Sequence, residues 1–190
     1  IDGANFGPHD ADAPPVVLAA GAYGREVAAS ACAVDTDRPH TRIVCASTGA
    51  GTVGASVTWT VEVGAQRSTS PTTSMAPPHV SAIVVDEHVR SSGASTSGGD
   101  VVTLVGTDFG PAIVGGGGDQ SYATFGTNGV EQTGTDCEVV TPHTRMRCAM
   151  GPGVGKQLRW RVVVGGQSSA PSGSLTTKYA SPRITTLSPT

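Results

Sequence analysis

The chain reads as all-β, with two β-sandwich domains in tandem, and three observations carry that reading. The first is an internal repeat. Pro39-His40-Thr41-Arg42-Ile43-Val44-Cys45 returns as Pro142-His143-Thr144-Arg145-Met146-Arg147-Cys148, and Gly3-Ala4-Asn5-Phe6-Gly7-Pro8 returns as Gly106-Thr107-Asp108-Phe109-Gly110-Pro111. Val57-Thr58-Trp59-Thr60-Val61-Glu62-Val63-Gly64 returns as Leu158-Arg159-Trp160-Arg161-Val162-Val163-Val164-Gly165. The copies are offset by 101 to 103 residues, the length of one small β-sandwich. The second observation is punctuation: 26 Gly and 13 Pro, with abundant Ser and Thr, divide the chain into short segments joined by turns. The third is Val recurring in alternating runs, a pattern that disordered sequence does not produce. A duplicated framework of turns, core residues and cysteines is a poor place for a catalytic site and points first to an architectural role.

The 190 residues admit one or two domains, and the period decides for two. The boundaries expected are 1–77, 78–181, and 182–190 as the first strand of a following repeat. Ile1 aligns with Leu104, inside a strand, so the first domain is expected to lack one or more N-terminal strands and to be the less stable. The tail Pro182-Arg183-Ile184-Thr185-Thr186-Leu187 echoes Pro78-His79-Val80-Ser81-Ala82-Ile83. Together these imply a window cut from a longer array.

In the second repeat, residues 80–85 read as the first strand and 91–99 as a polar Ser/Gly loop. Residues 101–105 form a strand ending at the 106–110 turn, and 115–118 are a glycine loop. Strands follow at 121–125, 137–140 and 146–148, with Thr141-Pro142-His143-Thr144 turning the chain between the last two. Gly151-Pro152-Gly153-Val154-Gly155 is a turn. The clearest strand puts Leu158, Trp160, Val162 and Val164 inward, and Arg159, Arg161 and Val163 outward. Gly165-Gly166 is a hairpin turn, and 174–179 the last strand. The first repeat keeps this order, with Val57, Trp59, Val61 and Val63 inward and Thr58, Thr60 and Glu62 outward. The junction 68–78 is rich in Ser, Thr and Pro, composition that favours an extended, semi-rigid joint.

Charged residues are 14% of the chain and its net charge is −3, which argues against a nucleic-acid partner. Arg145, Arg147, Arg159 and Arg161 alternate with core residues and are expected to share a solvent face as a local basic patch. Val44, Thr58 and Thr60 stand at three of those places in the first repeat. No apolar run reaches membrane-spanning length and no signal peptide is read. Four cysteines, two per repeat at matched places, suggest disulfides and an oxidising compartment.

The ordered motifs resemble the IPT/TIG family of immunoglobulin-like domains. They are Pro78 to Ile83, Gly106-Thr107-Asp108-Phe109-Gly110, Cys137 to Cys148, Pro152-Gly153-Val154-Gly155, Val162 to Gly166, and Tyr179-Ala180-Ser181-Pro182-Arg183-Ile184. The first repeat departs at residues 50–54, which lack the proline, and at Met75-Ala76-Pro77, which lacks the tyrosine. The resemblance implies tandem immunoglobulin-like sandwiches. Domains of this family occur in cell-surface receptors, large repetitive extracellular proteins of algae and other protists, and some transcription factors. Cysteine-paired copies rich in Gly, Ser and Thr look most like the extracellular protist type, some of which are thought to build surface fibres including ciliary hairs.

Cys32 with Cys45 and Cys137 with Cys148 flank turns and read as local hairpin disulfides, each contributing about 3 kcal/mol by loop closure. A metal site joining them to His40 or His143 is the alternative, though the spacing lacks C-x-x-C. The two histidines read as exposed turn residues, because a catalytic base needs a nucleophile and an orienting acid. Trp59, Trp160, Phe6 and Phe109 are core candidates, the tryptophans against the disulfides. Asp10, Asp12, Asp108 and Asp119 read as loop carboxylates, without the spacing of a calcium loop. Gly115 to Gly118 lacks the Lys-Ser/Thr of a phosphate loop. No N-glycosylation sequon is present. Ser70, Thr72, Thr73, Ser74, Ser181 and Ser188, near prolines, are candidates for O-linked sugars against a plain polar linker.

The function expected is a non-enzymatic extracellular structural protein forming a stalk, sheath or fibre. Its partners would be copies of itself or other extracellular structural proteins, with no cofactor, no metal and no membrane insertion in this segment. The alternative is an adhesion or receptor ectodomain that binds protein or carbohydrate through loops such as residues 113–120. A third reading is an accessory domain of a secreted enzyme.

Overall fold

The computed structural model describes residues 1–9, 13–22, 24–46, 52–112 and 121–188. Residues 10–12 and 113–120, with Asp10, Asp12, Asp119 and Gly115 to Gly118, lie outside the described residues, as do Ala50 and Gly51. Two compact units form, the first built on Ile1–Pro77 and the second on the chain from Pro78.

Among its described residues the first unit holds seven strands: β1 (Val16–Ala20), β2 (Glu26–Ala28), β3 (Ala33–Val34), β4 (Ile43–Val44), β5 (Val57–Val63), β6 (Gln66–Arg67) and β7 (Thr72–Thr73). One sheet runs β2-β1-β5-β6, with β7 also on β5; β3 and β4 make a second, two-stranded sheet. Alternation in β1 and β5 aims Val17, Val57 and Val61 inward, and Val17 sits opposite Val61 in the antiparallel register. Phe6, Val17, Val34, Ile43 and Val61 form the core, with the two cysteines, Trp59 and Val63 packed against it. Ile1 lies beside Ile43 through two backbone bonds, but the start of the chain makes only an isolated bridge, Asp2 to Arg42. The Arg42 guanidinium, hydrogen-bonded to Asp2 at 2.7 Å, holds that carboxyl below its ordinary value.

Trp59 was expected fully inward, and here the structure differs. It and Val63 are only half-buried. The facing sheet is β3 and β4 alone, two residues each, and cannot cover the whole length of a seven-residue strand.

The second unit is a sandwich, with nine strands and one short helix among its described residues. The strands are β8 (His79–Val85), β9 (Val101–Thr107), β10 (Ser121–Gly126), β11 (Gln132–Thr133), β12 (Thr135–Thr141), β13 (Arg145–Ala149), β14 (Leu158–Val164), β15 (Gln167–Ser168) and β16 (Thr176–Thr177). The helix, α1, is Glu87–Ser92. Sheet order is β12-β13-β9-β8 on one side and β11-β10-β14-β15 on the other, with β16 also on β14. Val102, Leu104, Phe109, Met146 and Cys148 face Ala123, Phe125, Leu158, Trp160 and Val162, all buried. Phe125 and Trp160 are register partners, their rings stacked at 4.5 Å.

Two expectations change here. The polar loop at 91–99 begins inside α1. Asp86 caps that helix by accepting from the Val89 amide at 2.8 Å, and Gly93 (φ 95°) ends it. A Cβ on Gly93 would lie 2.5 Å from the Tyr179 backbone, because Ala94 pairs in parallel with Tyr179. The last strand, expected over 174–179, shortens to Thr176–Thr177.

The second unit has two extensive sheets and a fully enclosed core, and the first has neither. We therefore expect the first unit to unfold at lower denaturant. Each unit holds one tryptophan, so fluorescence of W59F reports the second unit and that of W160F the first. Coincident midpoints in equilibrium unfolding would refute the ordering.

Candidate functional site: cystine turns and the exposed surface

Each unit closes one hairpin with a disulfide: Cys32–Cys45 and Cys137–Cys148, with Cα atoms 4.0 and 4.1 Å apart. A bulge sets the second pair. Asp136 and Cys137 together oppose Cys148, and Asp136 takes φ 48°. Ala31, preceding Cys32, takes φ 49°. All four sulfurs are thus committed, so no thiolate is left for metal, and no group of three His, Cys, Asp or Glu gathers among the described residues.

His40 and His143 serve through their backbones. Both adopt left-handed φ, 65° and 60°. Their amides donate to Gly7 O at 2.8 Å and Gly110 O at 2.7 Å, and their carbonyls accept from Phe6 N and Phe109 N. Those turns carry Asn5 and Asp108 at φ 64° and 61°, and Gly7 and Gly110 at 84° and 81°. Each Phe is thereby pinned into its core while the imidazoles stay exposed. The same internal bonds recur elsewhere. Trp59 Nε1 donates to Thr73 Oγ1 as Trp160 Nε1 does to Thr177 Oγ1. Ser68 and Ser169 Oγ accept from Val61 N and Val162 N, each at 3.0 Å. Met75 N donates to Gly54 O and Tyr179 N to Gly155 O, with both glycines at φ 114°.

The expected basic patch does not exist as one surface. Arg145 and Arg147 lie on β13, whereas Arg159 and Arg161 lie on β14, in the other sheet. Outward alternation therefore sends the pairs to opposite faces of the sandwich. Arg159 and Arg161 are also engaged as braces: Arg159 donates to Thr127 O and Gly173 O, and Arg161 to Asn128 O and Ser169 O. Arg147 lies 3.7 Å from Glu138.

The braced turn ends in Glu131. Its carboxylate accepts from the Asn128 and Val130 amides and from Asn128 Nδ2, and the Asn128 amide bond chiefly draws its pKa below the ordinary value. The folded value being the lower, this support is present above the unfolded pKa and is lost as pH falls through the folded one. The Asn128 and Val130 amide resonances should shift together on acidification, and in E131Q that titration should vanish. Its persistence would refute the assignment.

Among the sugar candidates, Thr73 Oγ1 accepts the Trp59 indole, Ser74 Oγ donates to Ala55 O, and Ser70 Oγ bonds Thr60 Oγ1 at 3.1 Å. Thr72, Ser181 and Ser188 are exposed with no side-chain partner described. No signal in the sequence distinguished these two groups, because the difference is made by neighbours across the sheet.

The two-sheet sandwich, the turn that seats Phe109 and the cystine hairpin all fall inside or beside one matched span. A family model for the IPT/TIG domain matches residues 84–179. The chain belongs to the IPT/TIG family. An IPT/TIG domain is an immunoglobulin-like, non-catalytic module of extracellular and receptor proteins, and two disulfides fit that setting. The matched span covers the second unit; the first lies outside it. No curated protein matches the chain.

Proposed function

We propose that this chain is building material: tandem IPT/TIG-like sandwiches from a large extracellular protein, of the kind found on algal and protist surfaces, that forms a stalk, sheath or fibre such as a ciliary or cell-surface filament. The observation that carries the reading is the duplicated backbone. Left-handed residues recur at matched positions in both units, with φ values agreeing within a few degrees at Asn5/Asp108, Gly7/Gly110, His40/His143 and Gly54/Gly155. A protein that conserves turns, cystines and core bonds between copies, and varies its surface, is built on the logic of a repeat.

The mechanism is mechanical. A disulfide staples each sandwich against unfolding, and Pro77-Pro78 stiffens the joint between units. Pro182-Arg183-Ile184-Thr185-Thr186-Leu187 echoes the residues of β8. Ile184 and Leu187, 78% and 82% exposed here, repeat the spacing of Val80 and Ile83 in β8. The edge strand β12, with Val140 exposed, offers backbone groups for lateral assembly. Thr72, Ser181 and Ser188 carry O-linked sugars in this reading. Catalysis has no part in it.

Imaging of the native assembly by electron microscopy is the test. A filament in which this chain is the repeating subunit is the expected result. A dispersed monomer holding one soluble ligand would replace this reading with an adhesion or receptor ectodomain.

A further inference from the structure

The chain contains only two lysines, and both line the same groove. The groove, about 380 Å³, lies on the second unit between β8, α1, the turn before β14, and β16. Ile83, Val85 and Val89 give it an apolar floor, with Val89 buried. Arg90, Lys156 and Lys178 stand exposed around it with Gln157 and Thr176, and no acid is among its lining residues. The two carboxylates at the start of α1 are occupied: Asp86 caps the helix, and Glu87 lies 3.6 Å from Arg90. Lys178 is held in place, its Nζ donating to Ser91 O at 3.0 Å. Gln157, beside Lys156, takes a left-handed φ of 58°, a conformation that costs a non-glycine residue energy.

The shared framework does not require the two lysines. In the first unit Ala55 stands where Lys156 does and Ser74 where Lys178 does, and those two simply bond each other, Ser74 Oγ to Ala55 O. The lysines are additions to a turn and strand that the first unit builds without them.

We propose that this groove binds an anionic polysaccharide carrying sulfate esters. The apolar floor accepts the faces of sugar rings, while Thr176 and Gln157 bond hydroxyls. Two lysine ammoniums act as point charges that meet tetrahedral sulfate oxygens from any direction. A planar carboxylate is best matched by a free arginine fork, and the single arginine here is already turned to Glu87. This inference concerns the second unit alone and stands apart from whether the chain builds filaments.

The test is retention of the 190-residue chain on immobilised dextran sulfate, with unmodified dextran and polygalacturonate as parallel columns. Retention on dextran sulfate alone, released by salt, is expected. K156Q/K178Q should bind about tenfold more weakly, the effect of losing two exposed ion pairs, with an unchanged melting curve. R145Q/R147Q, on β13 and separated from β8 by β9, should bind as the parent does. Absence of retention, or retention that K156Q/K178Q leaves intact, overturns the site. Equal retention on polygalacturonate overturns the choice of sulfate.

Discussion

Trp160→Ala is expected to be the most damaging single substitution, costing the second unit about 4 kcal/mol. Trp160 is fully enclosed, stacked on Phe125, and its indole N–H is satisfied by Thr177. Truncation leaves a cavity between two well-formed sheets that cannot collapse to fill it, and strands the Thr177 hydroxyl. Trp59→Ala, at the matched place, should cost its own unit only about 2 kcal/mol, because that side chain is only partly buried. Urea unfolding of the two variants by circular dichroism, with the remaining tryptophan tracking the unaltered unit, measures both. Equal losses would mean that the facing sheet of the first unit is more complete than its two short strands provide.

Removing a disulfide should come next in size. C137A/C148A is expected to destabilise the second unit by about 3 kcal/mol, the loop-closure entropy of a loop this short. The same loss is expected for C32A/C45A in the first unit. The consequence there should be larger, since its core is smaller and the margin thinner. We expect C32A/C45A to leave the first unit largely unfolded at 37 °C while the second keeps its near-ultraviolet signal. Trypsin digestion reads this out directly: cleavage at Arg25 or Arg42 should appear in that variant well before cleavage at Arg145 or Arg147. Resistance equal to the parent would show that the cystine adds little to a unit held by other means.

The long strands were legible because their pattern is local. β14 alternates apolar and outward residues over seven positions, and its burial follows that alternation at every step. The cystine hairpins were legible because a repeat-locked pair of cysteines around a turn leaves few other partners. The helix α1 was not read, although Asp86 and Gly93 are ordinary start and stop residues. It buries only Val89, so no apolar period marks it. The four arginines were misassigned to one face. Alternation along a strand says which side of its own sheet a residue takes, but not which sheet the strand joins. The lysine groove escaped notice for a related reason. Lys156 and Lys178 are far apart in sequence and meet only because Thr176–Thr177 pairs with β14.

By itself the sequence settled what depends on neighbours along the chain: which residues turn, which alternate, and which cysteines stand close enough to join. The tertiary structure alone decided how completely each tryptophan is covered, which hydroxyls and arginines are spent on internal bonds, and where three cations converge. Those properties are set by strands meeting across a sheet or between sheets, and separation along the chain carries no record of such meetings.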